Sequence, residues 1–151
     1  MASKTHRARA GAGLASVAAL SLLLLSGAAA RPGPAARGQK LFLGATPIEA
    51  KMVGHAQALP PDAVRCTNCH QREAEPPREG IEAFAPKLGP LALTRPVARR
   101  GGPPSRYDAR SFCRLLRDGV DPAHVMIPQT MPRYAASDAD CEALWAYLVT
   151  P

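Results

Sequence analysis

Aromatic side chains are scarce in this chain: one Trp, three Tyr and three Phe among 151 residues. A domain of this length with so few rings fills only a thin core, and such domains rely on a disulfide, a metal or a cofactor. Acidic residues are also few, Asp+Glu 12 against Lys+Arg 19, for a net charge of +7. No fixed period runs through the Pro and Gly residues, which excludes a collagen-like rod. A chain 46% hydrophobic and 21% charged is too apolar for a disordered polymer. Its basic residues are not interleaved with aromatic stacking platforms, so nucleic acid is not an expected partner. One folded domain remains, with something additional at its centre.

The first thirty residues stand apart. Lys4, His6, Arg7 and Arg9 precede Gly11 to Ala30, twenty residues without a charge, with Leu20 and Leu22 to Leu25 at the apolar centre. The run ends in Ala28-Ala29-Ala30, the small-residue pattern of a signal-peptidase site. Residues 1–30 therefore read as an export signal. Twenty uncharged residues are also just long enough to span a bilayer, so an uncleaved anchor is the competing reading. Residues 31–151 carry a charge of +4 and all sixteen prolines, so about one residue in eight is proline against a usual ~5%. Such a domain is rich in loops.

Cys66-Thr67-Asn68-Cys69-His70 is a C-x-x-C-H pentapeptide, the pattern of covalent haem attachment. Two thiols three positions apart on one turn can each add to one of the two vinyl groups of the ring. The adjacent imidazole is then carried beneath the ring to the iron. In a chain of this composition the pattern arises by chance roughly 0.003 times. Two alternatives use the same residues: a zinc site combining Cys66, Cys69 and His70 with Cys113 or Cys141, or a redox dithiol. Export into an oxidising compartment, and a histidine that fits no common zinc spacing, favour haem.

A thioether as sixth ligand makes an electron-transfer site, whereas an open position permits small-molecule binding or catalysis. The candidates are His55, His124, Met52, Met126 and Met131. Met131 is the best placed, in the irregular stretch Gln129-Thr130-Met131-Pro132-Arg133-Tyr134 just before the expected last helix. Pro132 biases it towards an extended backbone. Met126 lies five residues earlier and has no proline after it.

In this order of parts the mature sequence resembles the class I cytochrome c family: a first helix, the C-x-x-C-H segment, a Gly-Pro loop, a Met-Pro loop and a last helix. Gly38 and Phe42 resemble the family's glycine and aromatic pair on the first helix, which crosses the last one closely. Leu144-Trp145-Ala146-Tyr147-Leu148 resembles the matching C-terminal pattern. Lys87-Leu88-Gly89-Pro90 resembles the loop whose proline carbonyl accepts a hydrogen bond from the proximal histidine, and Met131-Pro132-Arg133-Tyr134 resembles the axial methionine loop. The resemblance implies an all-α, cytochrome c-like small helical domain wrapped round one covalent haem, with long Pro/Gly-rich loops. It implies haem c on Cys66 and Cys69, His70 and Met131 as iron ligands, and Pro90 as the acceptor that orients His70.

One departure is an insertion at about residues 43–65, where the family passes from first helix to haem motif within a few residues. Pro47 to His55 reads as a short added helix, with Pro47 in its first turn and Gly54 near its end. Ile48, Met52 and Leu59 would let the insertion pad one edge of the haem pocket. Cys113 falls in the amphipathic run Tyr107 to Gly119, and Cys141 in a helix capped by Ser137. Both thiols face inward, which points to a disulfide, with two separate buried thiols as the plainer alternative. From residue 95 to 117 there are seven arginines against one acid, Asp108. That patch reads as a surface for an acidic redox partner, as a source, together with Arg133, of a contact to the haem propionates, or more plainly as a solvated, partly paired surface.

The expected function is that of an exported mono-haem carrier of single electrons and not an enzyme, periplasmic or anchored in the inner membrane through residues 11–30. Its partners would be redox proteins: a dehydrogenase or quinol-oxidising complex on one side, a terminal oxidase or reductase on the other. The alternatives are a haem-based catalytic or ligand-sensing domain, or the cytochrome subunit of a membrane dehydrogenase.

Overall fold

The computed structural model describes Met1, residues 33–76 and residues 85–151. The export segment within residues 2–32 lies outside the described residues, as do residues 77–84. The described part is mostly helical: α1 (Pro34–Leu43), β1 (Ala50–Lys51), α2 (Pro90–Thr94), α3 (Ala109–Asp118), β2 (Arg133–Tyr134) and α4 (Asp138–Val149), with a short 3-10 turn over Cys66–Asn68.

Each of the longer helices has a start and a stop written locally. Pro34 presets the first turn of α1, and Gly44 ends it at φ 77°, donating its N–H to the Leu41 carbonyl. α3 begins with a capping box in which the Asp108 carboxylate accepts from the Ser111 N–H at 2.7 Å and Ser111 Oγ accepts from the Asp108 N–H at 2.9 Å. Gly119 stops it at φ 70°. Ser137 and Asp140 form the same box on α4, so the expected cap at Ser137 is present. The expected run from Tyr107 to Gly119 is helical from Ala109 to Asp118.

α1 buries Gly38, Leu41 and Phe42 against α4, which presents Cys141, Ala143, Leu144 and Leu148. A Cβ at Gly38 would lie 1.9 Å from the Ala143 carbonyl oxygen, so only glycine allows the two backbones to approach this closely. One turn on, the Phe42 and Tyr147 rings meet with centroids 5.6 Å apart. α3 packs on α4 through Phe112 and Trp145, 5.7 Å between centroids, and through the Cys113–Cys141 disulfide, whose Cα atoms are 5.2 Å apart. The expected pairing is therefore present. Closing a loop of 28 positions restricts the unfolded chain enough to stabilise the fold by about 3.5 kcal/mol in the chain-entropy account.

The insertion does not form the expected helix over Pro47 to His55. Exposure alternates along Ile48 to Val53: Ile48, Ala50 and Met52 turn inward while Glu49, Lys51 and Val53 face solvent. Ile48 and Met52 stand four apart, a spacing compatible with a helix face and equally with one side of a strand; the buried Ala50 between them fits only the strand. A helix of so few turns gains little by itself, whereas β2 offers a ladder partner. β1 pairs antiparallel with β2, Ala50 opposite Tyr134 and Lys51 opposite Arg133. Ala135 N–H extends the ladder by donating to the Glu49 carbonyl at 2.8 Å.

The Asp108 carboxyl is held below the usual carboxylate range, first by the Ser111 hydroxyl and then by the Ser111 backbone N–H, which favour the ionised form. With its folded pKa depressed, the cap contributes in full above the unfolded value of about 4 and is lost as pH falls through the lower folded value. Asp108→Ala should cost about 1 kcal/mol at pH 7. In urea unfolding of the full chain the gap between wild type and variant should narrow steadily below about pH 4, while Asp108→Asn, a good cap that does not titrate, should show little pH dependence relative to Ala.

Candidate functional site

Cys66 to His70 sits at the end of the insertion, in a 3-10 turn closed by Cys69 N–H and His70 N–H donating to the Cys66 carbonyl at 3.2 and 2.8 Å. Asn68 steadies the turn from outside, its Nδ2 donating to the Asp62 and Ala63 carbonyls. Both thiols are free, Cys66 half-buried and Cys69 exposed. Burial pushes the Cys66 thiol up to about 11. A redox dithiol needs the opposite, a thiol whose surroundings favour the thiolate.

The His70 ring Nδ1 lies 2.8 Å from the Pro86 carbonyl oxygen, and since a carbonyl can only accept, Nδ1 carries the proton and Nε2 keeps its lone pair, with no partner among the described residues. Burial pulls the imidazole below its ordinary pKa, against the opposing effect of that hydrogen bond, and so favours the neutral ring a metal ligand must be. The expected acceptor was Pro90, and it is replaced here by Pro86. Pro90 is the first residue of α2, and its carbonyl accepts instead from Thr94 Oγ1 at 2.6 Å. Pro86 is brought to His70 by a short parallel pairing that the sequence does not announce. Leu88 N–H donates to the Gln71 carbonyl at 2.8 Å and Glu73 N–H to the Leu88 carbonyl at 2.9 Å.

Two residues that follow the motif carry roles no local pattern signalled. The Glu73 carboxylate accepts from the Leu91 and Ala92 N–H groups at 2.9 and 2.7 Å, capping α2 from a distant part of the chain. Arg72 Nη2 donates to the Tyr147 and Thr150 carbonyls at the end of α4, at 3.2 and 2.6 Å, and its guanidinium lies 4.3 Å from the Tyr147 ring centroid. The segment following the Cys66–His70 turn is thus fastened to the last helix.

Met131 is half-buried and packs on the core, with its N–H donating to the Pro128 carbonyl and its own carbonyl accepting from Arg133 Nη1. Met126 is 59% exposed. His55 and His124 are exposed, and His124 occupies a turn at φ 62°. Leu41, Ile48, Val64, Leu116, Tyr134 and Leu144 line a small hollow of about 10 Å³ beside Cys66, which neither His70 nor Met131 lines.

Much of the arginine patch is committed within the fold. Arg99 donates to the Ala92, Val97 and Ser105 carbonyls and stacks over Tyr107. Arg100 pairs at 2.6 Å with Asp121, a fully buried carboxylate whose backbone carbonyl also accepts from Arg114. Arg117 binds the Ala136 carbonyl and Asp138. Arg133 Nη1 donates to the Met131 carbonyl, while its Nη2, like Arg114 Nε, is buried with no hydrogen-bond partner among the described residues.

The donor set suits a covalent haem. Two free thiols stand next to an imidazole whose Nε2 keeps its lone pair, a half-buried thioether is present, and Arg133 Nη2 is a buried donor without an acceptor among the described residues; the hollow beside Cys66, at about 10 Å³, is far smaller than a haem. For zinc the set is short: Cys113 and Cys141 are bonded to each other, and no group of three or more His, Cys, Asp and Glu side chains gathers among the described residues. No helix among the described residues is long and apolar enough to cross a membrane. No protein family, curated protein or solved structure matches the chain.

Arg72→Ala should destabilise the full chain by about 2 kcal/mol in urea unfolding, through the loss of two carbonyl bonds and the contact over Tyr147. Arg72→Lys should recover less than half of that, because an ammonium lacks the planar face and fixed fork of the guanidinium.

Proposed function

We propose that the chain is an exported mono-haem c-type cytochrome that carries single electrons between redox proteins of the periplasm or its membrane. The observation that carries this reading is the imidazole of His70, turned by the Pro86 carbonyl so that Nε2 is free, directly after two unpaired thiols. When bound, the haem supplies a one-electron ferric/ferrous couple, and a thioether opposite histidine raises its potential.

The residues divide the work. Cys66 and Cys69 hold the ring through thioether bonds, His70 is the proximal ligand and Met131 the distal one. The Pro86 carbonyl accepts a hydrogen bond from Nδ1–H, which fixes the tautomer and makes Nε2 a stronger electron-pair donor. Arg133 Nη2 offers the buried N–H that a propionate of the ring would take. The exposed Cys69 marks the edge at which electrons would enter and leave. A dehydrogenase or quinol-oxidising complex would donate and a terminal oxidase or reductase accept, with the protein free in the periplasm or anchored in the inner membrane.

Absorption spectra of the chain exported by cells that possess haem-attachment machinery test this. Wild type should be six-coordinate and low-spin with the methionine-to-iron band, lost in Met131→Ala and kept in Met126→Ala. A five-coordinate high-spin spectrum would make the site one for ligand sensing or catalysis instead, and a colourless protein would overturn the haem assignment.

A further inference from the structure

The insertion joins the two ends of the site through the protein itself. It leaves α1 at Gly44 and returns at Val64, two residues before Cys66. At its midpoint β1 pairs with β2, which begins two residues after Met131. Three bonds fasten this crossing. Ala135 N–H donates to the Glu49 carbonyl at 2.8 Å, Leu59 N–H donates to the Ala50 carbonyl at 2.8 Å and so folds the insertion back on itself, and Tyr134 Oη donates to the Val64 carbonyl at 3.0 Å. Ala50, Val64 and Tyr134 are all buried, so the crossing belongs to the core and not to a loop lying over it.

We propose that residues 47–64 act as a strut that holds the Met131 loop in its ligating position, with Tyr134 as the positioning residue that locks the strut to the attachment turn; this rests on Met131 being the distal ligand. A methionine is a weak, neutral ligand on a loop with few bonds of its own, and its exchange requires the loop to swing away. Here the swing must break the β1–β2 ladder and the Tyr134 bond, whose other end is fixed beside Cys66. The strut is built from protein bonds alone, so it orders the loop without help from the iron. It also gives the long insertion a purpose that padding would not require: Glu49, Ala50 and Val64 serve through their backbone carbonyls, at positions set by the length of chain between Gly44 and Cys66.

The test uses the haem-loaded full chain and excess imidazole at fixed pH and temperature, following the rate at which the methionine-to-iron band disappears. Tyr134→Phe removes one hydrogen bond and keeps the ring, and should speed displacement roughly fivefold. Ala135→Pro, which removes the donor to Glu49, should speed it at least as much. Hydrogen exchange in Tyr134→Phe should quicken at the Ala135 and Leu59 amides, with the core amides of α1 and α4 unchanged. Displacement at the wild-type rate while those two amides quicken would overturn the proposal, since the strut would then open without bearing on Met131. Equal quickening in α1 and α4 would also overturn it, because Tyr134 would be stabilising the fold generally. A wild-type protein lacking the band altogether would remove the underlying ligand assignment, a failure distinct from both.

Discussion

The approach of α1 to α4 at Gly38 sets the geometry on which the remaining structure hangs. With a Cβ excluded by the Ala143 carbonyl, the two helices meet backbone to backbone, and Phe42 reaches the Tyr147 ring in the next turn. That ring also receives Arg72, whose guanidinium closes the carbonyls at the end of α4. A contact between the first and last helices is thereby transmitted to the residues that follow His70. Any larger residue at position 38 would pry apart the pair, and the Cys66–His70 turn would lose its fixed support.

Few aromatic residues are needed because covalent and polar ties replace bulk. The disulfide joins α3 to α4, capping boxes start both helices, and the buried Asp121 is matched by Arg100 and the Val125 N–H. Arginine is here a structural residue as much as a surface charge. Arg99, Arg100, Arg114 and Arg117 spend donors on loop carbonyls and buried carboxylates, which is how a proline-rich chain with little regular ladder satisfies its backbone acceptors. Only a guanidinium has enough donors, in a fixed plane, to close several carbonyls of an irregular loop at once.

Features encoded by neighbours in sequence were legible. Ser137 at the start of α4, Gly119 at the end of α3 and the inward faces bearing Cys113 and Cys141 follow from local spacing, and the pairing of those two thiols, read from their shared inward placement, is present in the fold. The close crossing at Gly38 and Phe42 was implied by family resemblance and is present in the fold. Features settled by distant partners were not legible. Ile48 and Met52 obey a helical and an extended period equally, and what decides between them is β2, more than eighty positions away. The His70 acceptor moved from Pro90 to Pro86 for the same reason: the pairing of Gln71 with Leu88 fixes which carbonyl faces the ring, and no local signal marks it. Glu73 and Arg72 cap helices to which they are not adjacent in sequence, so no capping pattern reveals them.

The central claim is that Cys66 and Cys69 carry one haem, with every other assignment of the site resting on it. Intact mass spectrometry of the chain exported by cells with haem-attachment machinery tests it most directly, followed by sequencing of the peptide that contains both thiols. The account predicts a gain of the mass of one haem, borne by the Cys66–His70 peptide and absent from the Cys66→Ser, Cys69→Ser double variant. A mature chain of unmodified mass under those conditions would contradict it.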